Sequence, residues 1–202
     1  MKKTAPSKIE NDLIADGFFP IAGVDEVGRG PLAGPVVACA LILPEGLVIE
    51  GVNDSKKVSE KNREKLSRII KESAVSYSFG IIEPEEIDRI NILQATLKAM
   101  SIAIEKLSVA PKIALVDGIS PPKIENVRVI CVPKGDSFSH LIAAASILAK
   151  VERDNIMNAL HAANPEYCWD ANKGYGTAAH IAAIKSHGIC AAHRKTFCRS
   201  FA

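Results

Sequence analysis

The sequence predicts an α/β fold in which a central mixed β-sheet is flanked by α-helices. Short apolar, β-branched runs alternate with segments of helical periodicity in the order strand, strand, helix, strand, helix, strand, strand, helix. Hydrophobic residues make up 48% of the 202 residues, which is enough for one sizeable core. We therefore predict a single domain over 1–202, with a polar lead-in at 1–20 and a helical C-terminal extension at about 165–202.

Five segments have the composition and alternation of β-strands. They are 21–27, 36–43, 74–82, 112–116 and 127–132. The first two flank a Gly- and Pro-rich turn, which predicts a hairpin. The second is apolar throughout, as is typical of a strand that is buried on both faces.

Helical periodicity or start signals occur in five other segments. Ser59 is a candidate N-cap for a helix of about four turns, and Pro84 begins a short acidic helix. The remaining helices are predicted at 93–107, 138–160 and 178–187. We predict at most one helical turn within 1–20 and no regular element within 193–202.

Charge and cysteine content exclude several classes of protein. Charged residues make up 24% of the chain with a net charge of +2, so the chain is not generally disordered. Seven Lys or Arg against four acids within 54–72 suit a nucleic-acid backbone, although such runs are often only solvated. The five cysteines lack CxxC spacing, and no apolar run is long enough to cross a membrane. We expect a reduced, cytoplasmic protein.

Four carboxylates are candidates for catalysis: Asp25, Glu26, Asp117 and Asp136. Asp25 and Glu26 interrupt an apolar strand, Asp117 ends another, and Asp136 precedes a helix. A cluster of like charges is costly without a cation, and oxygen ligands without His or Cys favour Mg²⁺ or Mn²⁺. Alternatively, each residue could be an ordinary turn or cap residue, because spacing alone does not prove that the four converge.

Several motifs occur in one order along the chain. They are GVDEVGRGPLAGPV at 23–36, NDSKK at 53–57, VDG at 116–118, KGDS at 134–137, AASILAKVERD at 144–154, KGYGT at 173–177, HG at 187–188 and HRKTF at 193–197. Together they resemble the bacterial ribonuclease HII family. The resemblance implies a ribonuclease H-like fold and a metal-dependent endoribonuclease.

The resemblance also implies roles for individual residues. The four carboxylates would be catalytic and would hold two Mg²⁺ or Mn²⁺ ions. Gly28, Arg29 and Gly30 would recognise the 2′-hydroxyl of a ribonucleotide, largely through backbone groups. Glycine lets a backbone approach a sugar closely, and we expect Gly30 to adopt a conformation that only glycine tolerates. Tyr175 would pack against the neighbouring sugar, and the other implied substrate contacts are Lys56, Lys173, His193 and Arg194.

The implied substrates are RNA–DNA hybrids and duplex DNA that contains ribonucleotides. Cleavage would occur 5′ of the ribonucleotide and leave 3′-hydroxyl and 5′-phosphate ends. Such an activity serves ribonucleotide removal and RNA primer processing. We expect a monomer with no membrane association.

Several alternatives are weaker. A dinucleotide-binding loop at 28–34 would require a following helix, where a strand is predicted. A zinc site formed by His187, Cys190, His193 and Cys198 has no standard spacing. A catalytically silent nucleic-acid-binding module would not need all four carboxylates. Another metal nuclease, such as a Holliday-junction resolvase or an integrase, would not need the GRG and KGYGT segments, and ribonuclease HIII is disfavoured by the short N-terminal lead-in.

Overall fold

A five-stranded mixed sheet forms the centre of the molecule, as predicted. The computed structural model describes residues 7–201. The strands are β1 (Ile21–Val27), β2 (Val36–Ile42), β3 (Ser76–Ile82), β4 (Ile113–Asp117) and β5 (Arg128–Val132). Their order across the sheet is β3-β2-β1-β4-β5. The strand β2 runs antiparallel to both β3 and β1, whereas β4 runs parallel to both β1 and β5.

Eight α-helices lie along the described chain. They are α1 (Lys8–Ala15), α2 (Glu60–Ser73), α3 (Pro84–Ile90), α4 (Ile92–Glu105), α5 (His140–Ala163), α6 (Trp169–Asn172), α7 (Ala178–His187) and α8 (Lys195–Cys198). Short 3-10 turns occupy Ser55–Lys57, Gly135–Ser137 and Pro165–Tyr167. No helix within residues 7–201 is long and apolar enough to cross a membrane.

The strand alternation divides the core between the two faces of the sheet. Cys39 and Leu41 of β2 face a core that includes the alanine-rich first half of α5. Ala38 and Ala40 face the opposite core, which includes residues of α4. Small residues let α5 lie close against β1, so the carboxylate of Asp25, on the same face of β1 as Ile21, is buried beside this helix.

The C-terminal extension forms a third apolar cluster against the loop that joins β1 to β2. Leu32 and Ala33 of this loop pack with Tyr167, Trp169 and Ile184 of the extension. Backbone hydrogen bonds run from the Leu32 amide to the Gly174 carbonyl (2.8 Å) and from the Gly34 amide to the Ala192 carbonyl (2.8 Å). The extension is therefore attached directly to the loop that contains the GRG segment.

Two elements differ from the sequence-based expectation. The lead-in contains an eight-residue helix, α1, and not a single turn. Its Glu10 is buried, and one carboxylate oxygen accepts hydrogen bonds from the Ser139 hydroxyl (2.6 Å) and the Leu141 amide (2.9 Å) at the start of α5. This acid stabilises the positive end of a distant helix, which local periodicity does not show. The tail also contains α8, whose first two amides are capped by Asp88.

Candidate metal and nucleic-acid site

Three of the four predicted carboxylates converge at one edge of the sheet. The parallel pairing of β1 with β4 aligns Val24 with Val116, so Asp25 and Asp117 follow as neighbours at the carboxyl ends of both strands. One oxygen from each of Asp25, Glu26 and Asp117 lies within 4.8 Å of the other two. Glu26 joins the group although it is adjacent to Asp25, because β1 ends one residue later and the loop begins.

Burial and mutual repulsion make this carboxylate group unfavourable when it is fully ionised. Burial raises the pKa of Asp25 well above its ordinary value, and the charges of Glu26 and Asp117 raise it further. Burial also raises the pKa of Glu26, whereas Arg29, 3.4 Å away, opposes this shift. Hydrogen bonds to Asp25 from the Ser146 hydroxyl and from the Glu26 amide (2.7 Å) lower its pKa only in part. A divalent cation would relieve this repulsion, and the all-oxygen ligand set suits Mg²⁺ or Mn²⁺.

Asp136 lies beside this group but not within it. It occupies the 3-10 turn Gly135–Ser137, which is tethered to Asp117 because the Gly135 amide donates a 2.6 Å hydrogen bond to that carboxylate. The pKa of Asp136 is raised by burial and by the charges of Asp54 and Asp117. Asp54 is thus a fifth acid near the site, although within its NDSKK segment the sequence pointed only to Lys56 as a substrate contact.

In the GRG turn, the glycine whose backbone conformation requires glycine is not the one that we expected. Gly28 has a φ of +94°, and a Cβ at this position would lie 2.3 Å from Nε of Arg153. Gly30 is not among the residues with positive φ, and a Cβ there would meet only Cε1 of Tyr175, at 3.7 Å. The expectation that Gly30 needs a glycine-only conformation is therefore wrong, since Gly28 is the constrained residue. What lies over Gly30 is open space beside the Tyr175 ring.

Tyr175 is 44% exposed, and its backbone is held by a chain of buried aromatic side chains. Its carbonyl contacts Nδ1 of His180 at 2.9 Å, and Nε2 of His180 accepts from the Trp169 indole at 3.0 Å. The next residue in this chain of contacts is His193, whose Nε2 lies 3.1 Å from Nε2 of His180. The Nδ1 atom of His193 accepts a hydrogen bond from the Cys190 amide at 3.0 Å. This pattern assigns the neutral His193 a proton on Nε2 and the neutral His180 a proton on Nδ1. Burial and the charge of His180 lower the pKa of His193 to about 4, in agreement with a neutral pair.

His193 and Arg194 lie inside the protein, and this placement changes the expectation that they touch substrate. Their exposed fractions are 1% and 0%. His193 supports the Tyr175 segment, and the Arg194 guanidinium donates to backbone carbonyls of the loop between β1 and β2. Burial removes both side chains from the surface that a duplex would contact. Both side chains instead hold the backbone segments around the site in place.

The zinc alternative finds no support in this arrangement. Cys190 Sγ lies 3.3 Å from Nδ1 of His193, and the buried Cys198 thiol donates to the Leu32 carbonyl instead. Among residues 7–201, the carboxylate group is the only set of three His, Cys, Asp or Glu side chains close enough to share an ion.

The basic residues Lys56 and Lys173 occupy different surroundings. Lys56 is exposed in a 3-10 turn next to the carboxylates, and Ser55 of this turn shares a 2.9 Å hydrogen bond with Ser146, which also bonds Asp25. Lys173 donates from Nζ to Asn158 at 2.6 Å, and its carbonyl accepts from Arg153. The turn that contains Lys56 is therefore connected to Asp25 through the hydroxyls of Ser55 and Ser146, and Lys173 precedes the Tyr175 segment.

Comparisons with known proteins agree with the fold and identify the family. The family model described as ribonuclease HII matches residues 22–201. A ribonuclease HII of Ruminiclostridium cellulolyticum is 52% identical over 194 residues, which cover 95% of this chain and 75% of the relative. A ribonuclease HII of Chlamydia abortus is 54% identical over 190 residues, which cover 93% and 88%.

A solved structure has the same architecture. The crystal structure of ribonuclease H2 from Pyrococcus horikoshii superposes with a TM-score of 0.75 at 28% identity and covers 90% of this chain and 96% of that one. The predicted ribonuclease H-like fold is confirmed, and the resemblance seen in the motifs extends over nearly the whole chain. The chain therefore belongs to the ribonuclease HII family of endonucleases.

Proposed function

We propose that this protein hydrolyses the RNA strand of RNA–DNA hybrids and also cuts 5′ of ribonucleotides embedded in duplex DNA. Members of its family cleave RNA in RNA–DNA hybrids and depend on a metal ion. The observation that supports the finer proposal is the position of the GRG turn. Glu26, a member of the carboxylate group, is followed after one residue by Gly28, and Gly30 borders the exposed ring of Tyr175.

The proposed chemistry assigns metal binding to the carboxylates. Asp25, Glu26 and Asp117 would hold Mg²⁺ or Mn²⁺, and Asp136 would complete a site for two ions. Bound ions of this kind activate water for in-line attack and stabilise the departing oxygen. The carboxylates' own part is to position the ions against the scissile phosphate, so we nominate no separate side-chain base. The products would have 3′-hydroxyl and 5′-phosphate ends.

Ribose selection would depend on the GRG turn and on Tyr175. The 2′-hydroxyl distinguishes RNA from DNA at a given site, and exposed backbone groups can bond it directly. The open space over Gly30 leaves room for a sugar, and the Tyr175 ring provides an apolar surface for its neighbour. The C-terminal segment from about 165 would thus help to contact substrate as part of the single domain. We further propose a cytoplasmic monomer that acts in ribonucleotide removal and primer processing.

Phosphate contact by Lys56 gives a testable consequence. Lys56→Ala should weaken binding to all duplexes to a similar extent and lower the slope of log K against log salt by about one, because one fewer counterion is released. Fluorescence anisotropy with ribose-containing and all-deoxy duplexes at several salt concentrations measures both effects. Lys106→Ala, an exposed lysine at the end of α4, is the matched control. An effect confined to ribose-containing duplexes would contradict a phosphate contact.

The proposed function is tested by cleavage of matched duplexes in the presence of Mg²⁺ or Mn²⁺. One duplex carries a single ribonucleotide, and the other carries a deoxynucleotide at the same position. A DNA–RNA hybrid of the same sequence adds the second proposed substrate. The expected cut lies 5′ of the ribonucleotide and is absent from the all-deoxy duplex.

A further inference from the structure

Two arginines are completely buried beneath the loop of residues 28–35. Arg153 in α5 and Arg194 before α8 each have 0% exposure. Arginine is almost never fully buried unless it is paired, because removing its charge from water is costly. Among the residues that the structure describes, neither guanidinium forms an ion pair with a carboxylate. Burial and the charge of Arg153 lower the pKa of Arg194 to about 9, which reflects this cost.

Backbone carbonyls, rather than carboxylates, accept the hydrogen bonds of both guanidinium groups. The Arg194 guanidinium donates to Gly28 (2.6 Å), Arg29 (3.1 Å) and Gly34 (2.8 and 3.0 Å). The Arg153 guanidinium donates to the carbonyls of Ala33 (3.1 Å), Pro35 (3.0 Å) and Lys173 (2.9 Å). Together the two side chains bind carbonyls at both ends of the loop and one from the segment that leads to Tyr175.

These bonds determine which backbone groups the loop presents to the outside. The carbonyls of Gly28 and Arg29 are directed inward to Arg194. Arg29 and Gly30 are exposed, and their amides donate no hydrogen bond to any group within residues 7–201. The turn therefore offers amide donors above two buried positive charges. Hydroxyl and phosphate oxygens are the acceptors that suit such a surface.

We infer that Arg153 and Arg194 are positioning residues for ribose selection, which hold the GRG turn so that its amides face the sugar and the adjacent phosphate. The inference rests on the proposed function, because it concerns how the same turn selects its substrate. Lysine cannot replace either arginine, since one ammonium group does not span carbonyls from two or three residues as the planar guanidinium does. Neither arginine touches substrate.

Arg194→Lys tests the inference because it keeps the positive charge and removes the planar guanidinium group. Steady-state cleavage of a duplex with a single ribonucleotide is measured with Mn²⁺, and anisotropy measures the affinity for the matched all-deoxy duplex. We expect kcat/KM to fall by about tenfold or more, as losing a set of charge-assisted hydrogen bonds implies. Affinity for the all-deoxy duplex should stay within about twofold, since phosphate contacts elsewhere persist. Arg199→Lys, at an exposed position in the tail, is the matched control.

Other outcomes contradict the inference. Unchanged kcat/KM for Arg194→Lys, or an equal loss of cleavage and of all-deoxy affinity, would show that the arginine does not act on ribose selection. If Arg194→Lys does not fold, Arg153→Lys is judged by the same criteria, and failure of both to fold would assign the pair to stability alone. The proposed function fails separately, if the wild-type protein cuts the all-deoxy duplex as well as the ribose-containing one.

Discussion

Asp117→Asn is expected to abolish cleavage and to raise the melting temperature of the metal-free protein. The substitution removes a metal ligand's charge, and we expect activity to fall by about 10³-fold or more, since a bound ion supplies several kcal/mol of transition-state stabilisation. It also removes a charge that raises the pKa of Asp25 and Glu26, so the folded state loses repulsion. The hydrogen bond from the Gly135 amide can persist, because asparagine retains an acceptor oxygen.

Melting in EDTA and in Mn²⁺ separates these effects. The wild-type protein should be stabilised by Mn²⁺, and the variant should gain less from the metal while melting higher in EDTA. Each kcal/mol by which repulsion in the folded state is reduced raises the melting temperature by roughly 2–4 °C for a chain of this size. Asp12→Asn, an exposed acid on α1, is the control and should change neither property. Wild-type cleavage by Asp117→Asn in the presence of metal would contradict the metal assignment.

Gly30→Val is expected to leave the fold intact and to remove cleavage at ribonucleotides. The position has no positive φ and its Cβ would have only an ordinary contact with the Tyr175 ring, so valine should be accommodated in the free protein. The added methyl groups would occupy the space that the sugar needs. A clash of this kind costs enough to lower kcat/KM by roughly 100-fold, by analogy with overpacking.

Two comparisons make this prediction specific. Gly28→Ala should lower the melting temperature itself, because its Cβ would collide with the Arg153 side chain and its φ is positive. Arg29→Ala should affect cleavage less than Gly30→Val, since the Arg29 side chain is half-exposed and pairs with Glu26. Cleavage by Gly30→Val at the wild-type rate would show that no sugar approaches this residue.

Much of the fold was predictable because the strands have local signatures. β1 is an apolar run bounded by a turn, and its predicted limits agree with the structure. The spatial order of the strands is not local, so the sequence alone left open whether Asp25 and Asp117 meet. The parallel pairing of β1 with β4 brings these two carboxylates together. Asp136 lies beside them and not among them, because it belongs to the 3-10 turn that follows β5.

Residues that act through long-range contacts escaped sequence analysis. Glu10 looks like a solvated acid in a polar lead-in, yet it caps α5 from a separation of 129 residues to Ser139. Arg153 lies in a helix whose charged residues would ordinarily face solvent, yet it is fully buried against a loop 118 residues away. The same limit applies to Gly28 and Gly30, because the backbone conformation of Gly28 and its distant neighbour Arg153 together show which glycine cannot carry a Cβ.

The most direct test of the account is cleavage of one DNA duplex in two forms, with ribose or 2′-deoxyribose at a single position. Purified wild-type protein is incubated with each form in Mg²⁺ or Mn²⁺, and in EDTA as the metal-free control. The account predicts one cut, immediately 5′ of the ribonucleotide, with 3′-hydroxyl and 5′-phosphate ends and only when metal is present. Equal cutting of both duplexes would contradict ribose selection by the GRG turn and would favour a general metal-dependent nuclease.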